Sequence, residues 1–353
     1  MNASNRPKWL LPVLAVGFGI TILVVGLLTH AIVRDLTEAW TGTGLNPFSP
    51  IGQATGEGLP LPPGVPTATI PIPEVTPVPW DGRSRVTILL LGLDFRDWQA
   101  GVGAPRSDSM MLLSVDPISE QVSILSIPRD LWVEIPGFTH NRINTAYSSG
   151  EGNRLPGGGP GLAMRTVESV IGVPIQYYAV VDFATFERLI DEIGGIDVLV
   201  RQRIKISPIG RLSRWLEAKP YHLDGAEALA YARTRKGGGG DFSRAERQQQ
   251  VALAILDRVV GFDMIPLLVG KAPVLYQELA SGVRTNLSLN QMIALAWLAK
   301  DIQKEDIQMA VIEPPNMIGF YTRPDGAQVL RAVPDEIRKL RDRLFVDTSA
   351  IGQ

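Results

Sequence analysis

Between Trp9 and Val33 the chain carries no formally charged residue, and the 21 residues from Trp9 to Thr29 are almost wholly apolar. At about 1.5 Å per helical residue that run covers roughly 30 Å, the hydrocarbon thickness of a bilayer. A secretory signal would have a shorter apolar core and a small-residue cleavage site, and Leu27-Leu28-Thr29-His30-Ala31 offers no good one. Arg6 and Lys8 precede the run, whereas Arg34 beyond it is offset by Asp35 and Glu38. The positive-inside rule then predicts a single-pass plasma-membrane protein. Residues 1–8 are a cytoplasmic stub, 9–33 a transmembrane anchor, and everything after about residue 34 extracytoplasmic.

Residues 34–82 read as a linker. Ten prolines between Pro47 and Pro79, mixed with Gly and Thr, forbid helix and block sheet ladders. Such a segment favours an extended spacer. Globular composition begins at Arg83. The 353 residues include no cysteine and three histidines, at a net charge of −2. Disulfide scaffolds, thiol nucleophiles and cysteine zinc sites are therefore excluded, and a serine–histidine triad is disfavoured. Near-neutral charge also argues against nucleic acid as a partner. The chemistry left is that of Asp, Glu, Arg and hydroxyls.

Val86–Leu93 (VTILLLGL) is a continuous apolar run, the pattern of a strand buried on both faces. Met110–Val115 and Gln121–Ile127 read as strands joined by the turn Asp116-Pro117-Ile118-Ser119, hence antiparallel. Helical spacing over 161–171, a strand at 175–181, a helix at 183–193 and a strand at 196–200 follow. Helices from Asp224 to about 232 and over 242–260 complete the alternation. This predicts an α/β fold, a three-layer α/β/α sandwich around a mixed central sheet, over 83–262. Residues 263–353 form an extension of helices at 264–280, 288–304 and 334–345 and a strand at 307–312. The run Gly157–Gly161 reads as a flexible loop.

Acids and arginines gather at the ends of these elements. Asp94 follows the first strand and Asp108 precedes the second, so the two bracket one loop. Two such carboxylates can share a hard cation that completes its shell with phosphate oxygens; they are equally compatible with solvated loop aspartates. Arg129 and Asp130 follow the third strand. Because the second and third strands form a hairpin, Asp108 and Arg129 are expected side by side. Arg233 and Arg235 leave a helix end at i and i+2, and Arg244, Arg247 and Gln248 share one face of the next helix. Residues 233–247 carry an excess of three positive charges. Arginine's planar fork pairs two-to-two with phosphate oxygens. Arg201–Lys219 holds six basic residues and one acid, a pattern for anionic headgroups or polymer, or simply for a solvated hairpin.

Taken together, Leu91-Gly92-Leu93-Asp94 with Arg96, Arg106-Ser107-Asp108-Ser109-Met110, Ile127-Pro128-Arg129-Asp130, Ile143-Asn144-Thr145-Ala146-Tyr147, Val181-Asp182-Phe183, Gly194-Gly195-Ile196-Asp197, Leu223-Asp224-Gly225, Tyr231–Arg235 and Asp241–Gln249 resemble the LytR–CpsA–Psr family. That resemblance implies a membrane-anchored phosphotransferase. Its members move a glycopolymer from a polyprenyl-pyrophosphate carrier to a cell-wall glycan acceptor and leave a phosphodiester. It further implies that Asp94 and Asp108 hold Mg²⁺ (or Mn²⁺). Arg129, Arg233, Arg235 and Gln248 would hold the pyrophosphate, with Arg106, Arg244 and Arg247 in support. Arg129 is placed with Asp108 and Asp130 in the catalytic set; the general base stays open between Asp108 and Asp130, since metal binding would lower the basicity of Asp108. One departure is visible: Lys236 and Gly237–Gly240 stand where the family usually carries polar or acidic residues. The rival readings are a lipid-pyrophosphate hydrolase and a non-catalytic envelope regulator or wall-polymer binder.

Overall fold

The computed structural model describes residues 84–93, 105–235, 240–261, 264–266, 268 and 282–345. The predicted anchor, the linker, Asp94, Arg96, residues 236–239 and most of the helix expected at 264–280 lie outside them. Among the described residues no helix is long and apolar enough to cross a membrane. The chain runs through β1 (Val86–Leu93), β2 (Ser107–Asp116), β3 (Gln121–Ser126), β4 (Trp132–Glu134), β5 (His140–Arg142), α1 (Thr145–Gly152), α2 (Gly158–Ile171), β6 (Tyr177–Asp182) and α3 (Phe183–Glu192). It continues through β7 (Ile196–Leu199), β8 (Ile204–Ile206), β9 (Arg214–Leu216), β10 (Pro220–Leu223), α4 (Gly225–Arg233), α5 (Gly240–Gly261), β11 (Val283–Thr285) and α6 (Leu289–Asp301). β12 (Ile307–Val311), β13 (Ile318–Thr322), β14 (Gln328–Ala332) and α7 (Pro334–Phe345) close it.

Six strands form one mixed sheet in the order β11-β6-β1-β2-β3-β12. β1 runs antiparallel to β2 and parallel to β6, which explains its unbroken apolar sequence: it is covered on both faces. Leu89, Leu91 and Leu93 point to a core shared with α1, α2 and α7, while Ile88 and Leu90 point the other way, with Met292 and Leu295 of α6. The period of two along the strand thus feeds two helical layers, as the sandwich requires.

Three expectations need correction. Residues past 262 are not a mere extension, because β11 and β12 supply both edges of the central sheet and α7 packs into its main core. β2 begins at Ser107, so Asp108 lies within a strand rather than before it. Gly158–Gly161 is not a loop but the first turn of α2. A Cβ on Gly159 would lie 2.5 Å from the Tyr147 carbonyl oxygen of α1, so glycine is there to let two helices touch. The short hairpins β4–β5 and β13–β14 gave no readable sequence signal, whereas β8–β9 falls in the stretch 201–219 for which a hairpin was one of the readings.

A second core lies beside the sheet, built from α3, β7–β10, α4 and α5. Asp182 and Asp224 start α3 and α4, each accepting a hydrogen bond from the backbone N–H three residues on, at 2.8 and 3.0 Å. Burial pushes the Asp224 carboxyl up. The Arg211 guanidinium and the Glu227 N–H outweigh that and hold it below the ordinary aspartate range. A lowered folded pKa contributes stability above that range and loses it as pH falls through it. Asp224→Ala is therefore expected to cost about 1 kcal/mol at neutral pH, with the deficit shrinking in acid. Urea melts of both proteins at neutral and acid pH test this, and a deficit that does not change with pH would remove the charge from the cap.

Candidate active site

The site forms where β1 ends and β2 begins. Gly92 pairs with Ser109 and Leu93 with Ser107, so Asp108 is the extra residue of a bulge in β2. Bulges re-aim a side chain out of the pleat, and the Asp108 carboxylate lines a cavity of about 590 Å³. Gly92 permits this pairing closely: a Cβ there would sit 3.0 Å from that of Ser109.

The hairpin expectation holds. The Ile127 N–H donates to the Met110 carbonyl, carrying the β2–β3 pairing to the strand end and Arg129 to Asp108. Arg129 Nη1 donates to Asp108 Oδ1 at 2.8 Å, and its Nε donates to Asp241 Oδ2 at 3.2 Å. Asp241 Oδ1 is 3.4 Å from Arg235 Nε and 3.5 Å from Arg244 Nη1. Asp108 Oδ2 lies 3.6 Å from Arg235 Nη2, beyond a hydrogen bond. Burial would lower the Arg129 guanidinium's pKa, but Asp108, with Asp241 and Asp130, raises it on balance. Burial wins at Arg244, whose pKa is lowered, with Arg235 and Arg129 adding to the repulsion. Its Nε also has no hydrogen-bond partner. A buried cation so placed is stabilised by any incoming anion.

Arg233, Arg235, Arg244 and Gln248 all line the cavity. The Arg233 guanidinium lies over the Phe183 ring, 4.2 Å from its centroid. Gln248 accepts from Ser109 Oγ at 2.9 Å and donates to the Ala232 carbonyl at 3.4 Å. Four predicted site residues do not line the cavity. Arg129 is held by Asp108, Asp241 and Asp130 and touches the site through Asp108. Arg247 faces away from the cavity and donates to the Thr234 carbonyl, so it holds the segment that carries Arg233 and Arg235. Asp130 turns to Arg142, at 3.0 Å, and Arg106 is exposed; neither lines the cavity. Asp94 lies outside the described residues. Asp241 was readable only as part of a motif, and Phe183 likewise. Lys205, one of the six basic residues of 201–219, and Ser207 line the cavity from the β8 side; spacing did not place them there, because they reach it from a remote hairpin.

Among the described residues, Arg129, Arg235 and Arg244 gather around Asp108 and Asp241, and Arg233 joins Arg235 and Arg244 on the cavity wall, a set of cations suited to an oxyanion. Among the described residues no group of three acidic, histidine or cysteine side chains is disposed to hold a metal. Asp108 does supply hard oxygen donors at the cavity wall, the chemistry that Mg²⁺ and Mn²⁺ prefer.

The family model described as LytR_cpsA_psr matches residues 68–344. The chain belongs to this family. Among its LytR–CpsA–Psr relatives, TagT of Bacillus subtilis (strain 168), a polyisoprenyl-teichoic acid–peptidoglycan teichoic acid transferase, is 29% identical over 75% of this chain and 78% of its own length. TagV of the same organism, with the corresponding name, is 30% identical over 74% of this chain and 64% of its own. The regulatory protein MsrR of Staphylococcus aureus is 36% identical over 60% of this chain and 58% of its own. The crystal structure of B. subtilis TagV superposes with a TM-score of 0.60, at 29% identity, over 75% of this chain and 99% of that one. The LytR–CpsA–Psr fold therefore includes the edge strands and α7 that follow residue 262.

Proposed function

We propose that the protein is a membrane-anchored phosphotransferase that moves a glycopolymer from a polyprenyl-pyrophosphate carrier to a cell-wall glycan, forming a phosphodiester. The observation that carries this is the convergence of Arg233, Arg235 and Arg244 on one cavity with Asp108, in a family whose members TagT and TagV are named as such transferases. Arg235 and Arg233 bind the pyrophosphate oxygens from the cavity side. Arg244, buried beneath, faces the same anion. An acceptor hydroxyl attacks the sugar-proximal phosphorus in line; its oxygen–phosphorus bond forms, the bridging phosphorus–oxygen bond breaks, and polyprenyl phosphate leaves as the hydroxyl proton is released. The guanidiniums stabilise charge on the departing phosphate, and positioning of the two reactants supplies the remaining acceleration.

Asp108, and Asp94 beyond β1, would hold Mg²⁺ or Mn²⁺, which supplies further neutralisation of phosphate charge. Asp108 reaches the cavity whereas Asp130 is turned to Arg142, which favours Asp108 over Asp130 for any direct role. The uncharged run over residues 9–33 supports an anchor that leaves the catalytic domain outside the cytoplasm.

The full chain, given a purified lipid-pyrophosphate-linked glycan and peptidoglycan, is expected to yield a phosphodiester-linked product by mass spectrometry. Free polymer phosphate as the sole product would make it a hydrolase, and no turnover would favour a regulator. Chelation of divalent metal is expected to abolish transfer, and restored Mg²⁺ to return it; an unchanged rate under chelation would remove the ion from the site.

A further inference from the structure

The hairpin β8–β9 seats one side on the second core through Ile204, Ile206 and Leu216. Its other side is bare. Leu212, in the connecting turn, is 93% exposed, and Trp215 is 52% exposed with the Arg203 guanidinium 4.4 Å above its ring. Of the six basic residues, Arg203, Arg211 and Arg214 are paired with Glu217, Asp224 and Glu227. Arg201, Lys205 and Lys219 have no ion pair among the described residues; Arg201 lines a separate cavity with Ile204, Tyr231 and Glu246, which leaves Lys205 and Lys219 as unbalanced positive charge on the hairpin. The bare side is continuous with the candidate active site, because Lys205 and Ser207 line that cavity, and Trp215 is the cross-strand partner of Lys205.

We propose that this hairpin is the surface that the protein lays on an anionic membrane, with Leu212 at the acyl boundary, Trp215 at headgroup depth and the unpaired cations against the lipid phosphates. The proposal rests on the reading that the substrate is a lipid-linked pyrophosphate. Such a group sits at headgroup level, so the cavity that receives it has to open there, and the hairpin is the wall of that opening. An exposed apolar tip ringed by cations with an adjacent tryptophan is the pattern of an interfacial contact. A soluble anionic polymer would engage the same cations but gives no use for Leu212.

The chain has no cysteine, so Leu212→Cys in the full-length protein accepts one environment-sensitive fluorophore. Ile118→Cys is the control: it is 81% exposed, in the turn at the end of β2 away from Asp108, and β2 is roughly 30 Å long. Both proteins are reconstituted in vesicles of phosphatidylcholine alone or mixed with phosphatidylglycerol, with a nitroxide-bearing lipid as quencher. We expect a blue shift and lipid quenching at 212 but not at 118, strengthened by phosphatidylglycerol. Lys219→Gln should weaken it by about fivefold. No quenching at 212, equal quenching at 118, or indifference to phosphatidylglycerol would each overturn the proposal. A shift produced only by soluble anionic glycopolymer would overturn it too, and make the hairpin a polymer contact. The readout needs no turnover. Failure of transfer with quenching intact thus counts against the proposed reaction alone, and lost quenching with transfer intact against the hairpin alone.

Discussion

Arg235→Ala should lower kcat/KM for glycopolymer transfer by about 10²–10³-fold, the usual cost of removing one fixed donor from a developing oxyanion. The fold should be untouched, because the side chain is 45% exposed and its contacts to Asp108 and Asp241 are 3.6 and 3.4 Å long, worth little in stability. Unfolding free energy within about 0.5 kcal/mol of wild type is expected. Arg235→Lys should recover only part of the loss, since an ammonium cannot offer two parallel N–H groups to one phosphate. Arg129→Ala is a poorer probe. That side chain is 18% exposed and pairs with Asp108, Asp241 and Asp130, so its removal takes a shared partner from three carboxylates and disturbs the fold as well as the site. Transfer at the wild-type rate in Arg235→Ala, measured with the lipid-linked donor, would take this guanidinium out of the site and weaken the proposed chemistry with it.

Gly225→Ala should be the most destabilising of the conservative changes. Gly225 opens α4, and its N–H donates to Asp191 Oδ1 at 2.8 Å. A Cβ would fall 2.1 Å from the Glu187 carbonyl oxygen and 2.8 Å from its Cα, both backbone atoms of α3. Neither can swing aside as a side chain would, so α4 has to move bodily. We expect a loss of about 3 kcal/mol or more. For a domain of this size that lowers Tm by roughly 6–12 °C. Because α4 ends at Arg233, transfer should fall as well, in proportion to the displacement rather than to lost charge. A wild-type Tm in calorimetry would show that the α3–α4 contact is looser than its geometry implies.

Much of this architecture was legible before any coordinate. The apolar run Val86–Leu93 belongs to a strand buried on both sides, and the hairpin logic brought Asp108 to Arg129 across 21 positions, where they meet at 2.8 Å. Asp224 reads as a cap and is one. Arg233 and Arg235 were expected on one side, and both line the cavity. These inferences share a cause. Each rests on local periodicity or on a tight turn, so the information lies within a few residues.

What failed was non-local. Arg247 shares a helix face with Arg244, yet one guanidinium faces the cavity and the other is spent on the Thr234 carbonyl. Helical spacing gives a direction from the axis but not what the neighbouring segment needs. Lys205 and Ser207 enter the cavity because a second core presses the β8–β9 hairpin beside it, and no spacing within 201–219 encodes that. The sheet edges β11 and β12 come from sequence long after the motifs end. Chain order thus determined the central strands, the helix starts and the inventory of charges. Tertiary packing decided which of those charges face one another, because long-range contact depends on how separately folded layers close, and a linear pattern does not hold that distance.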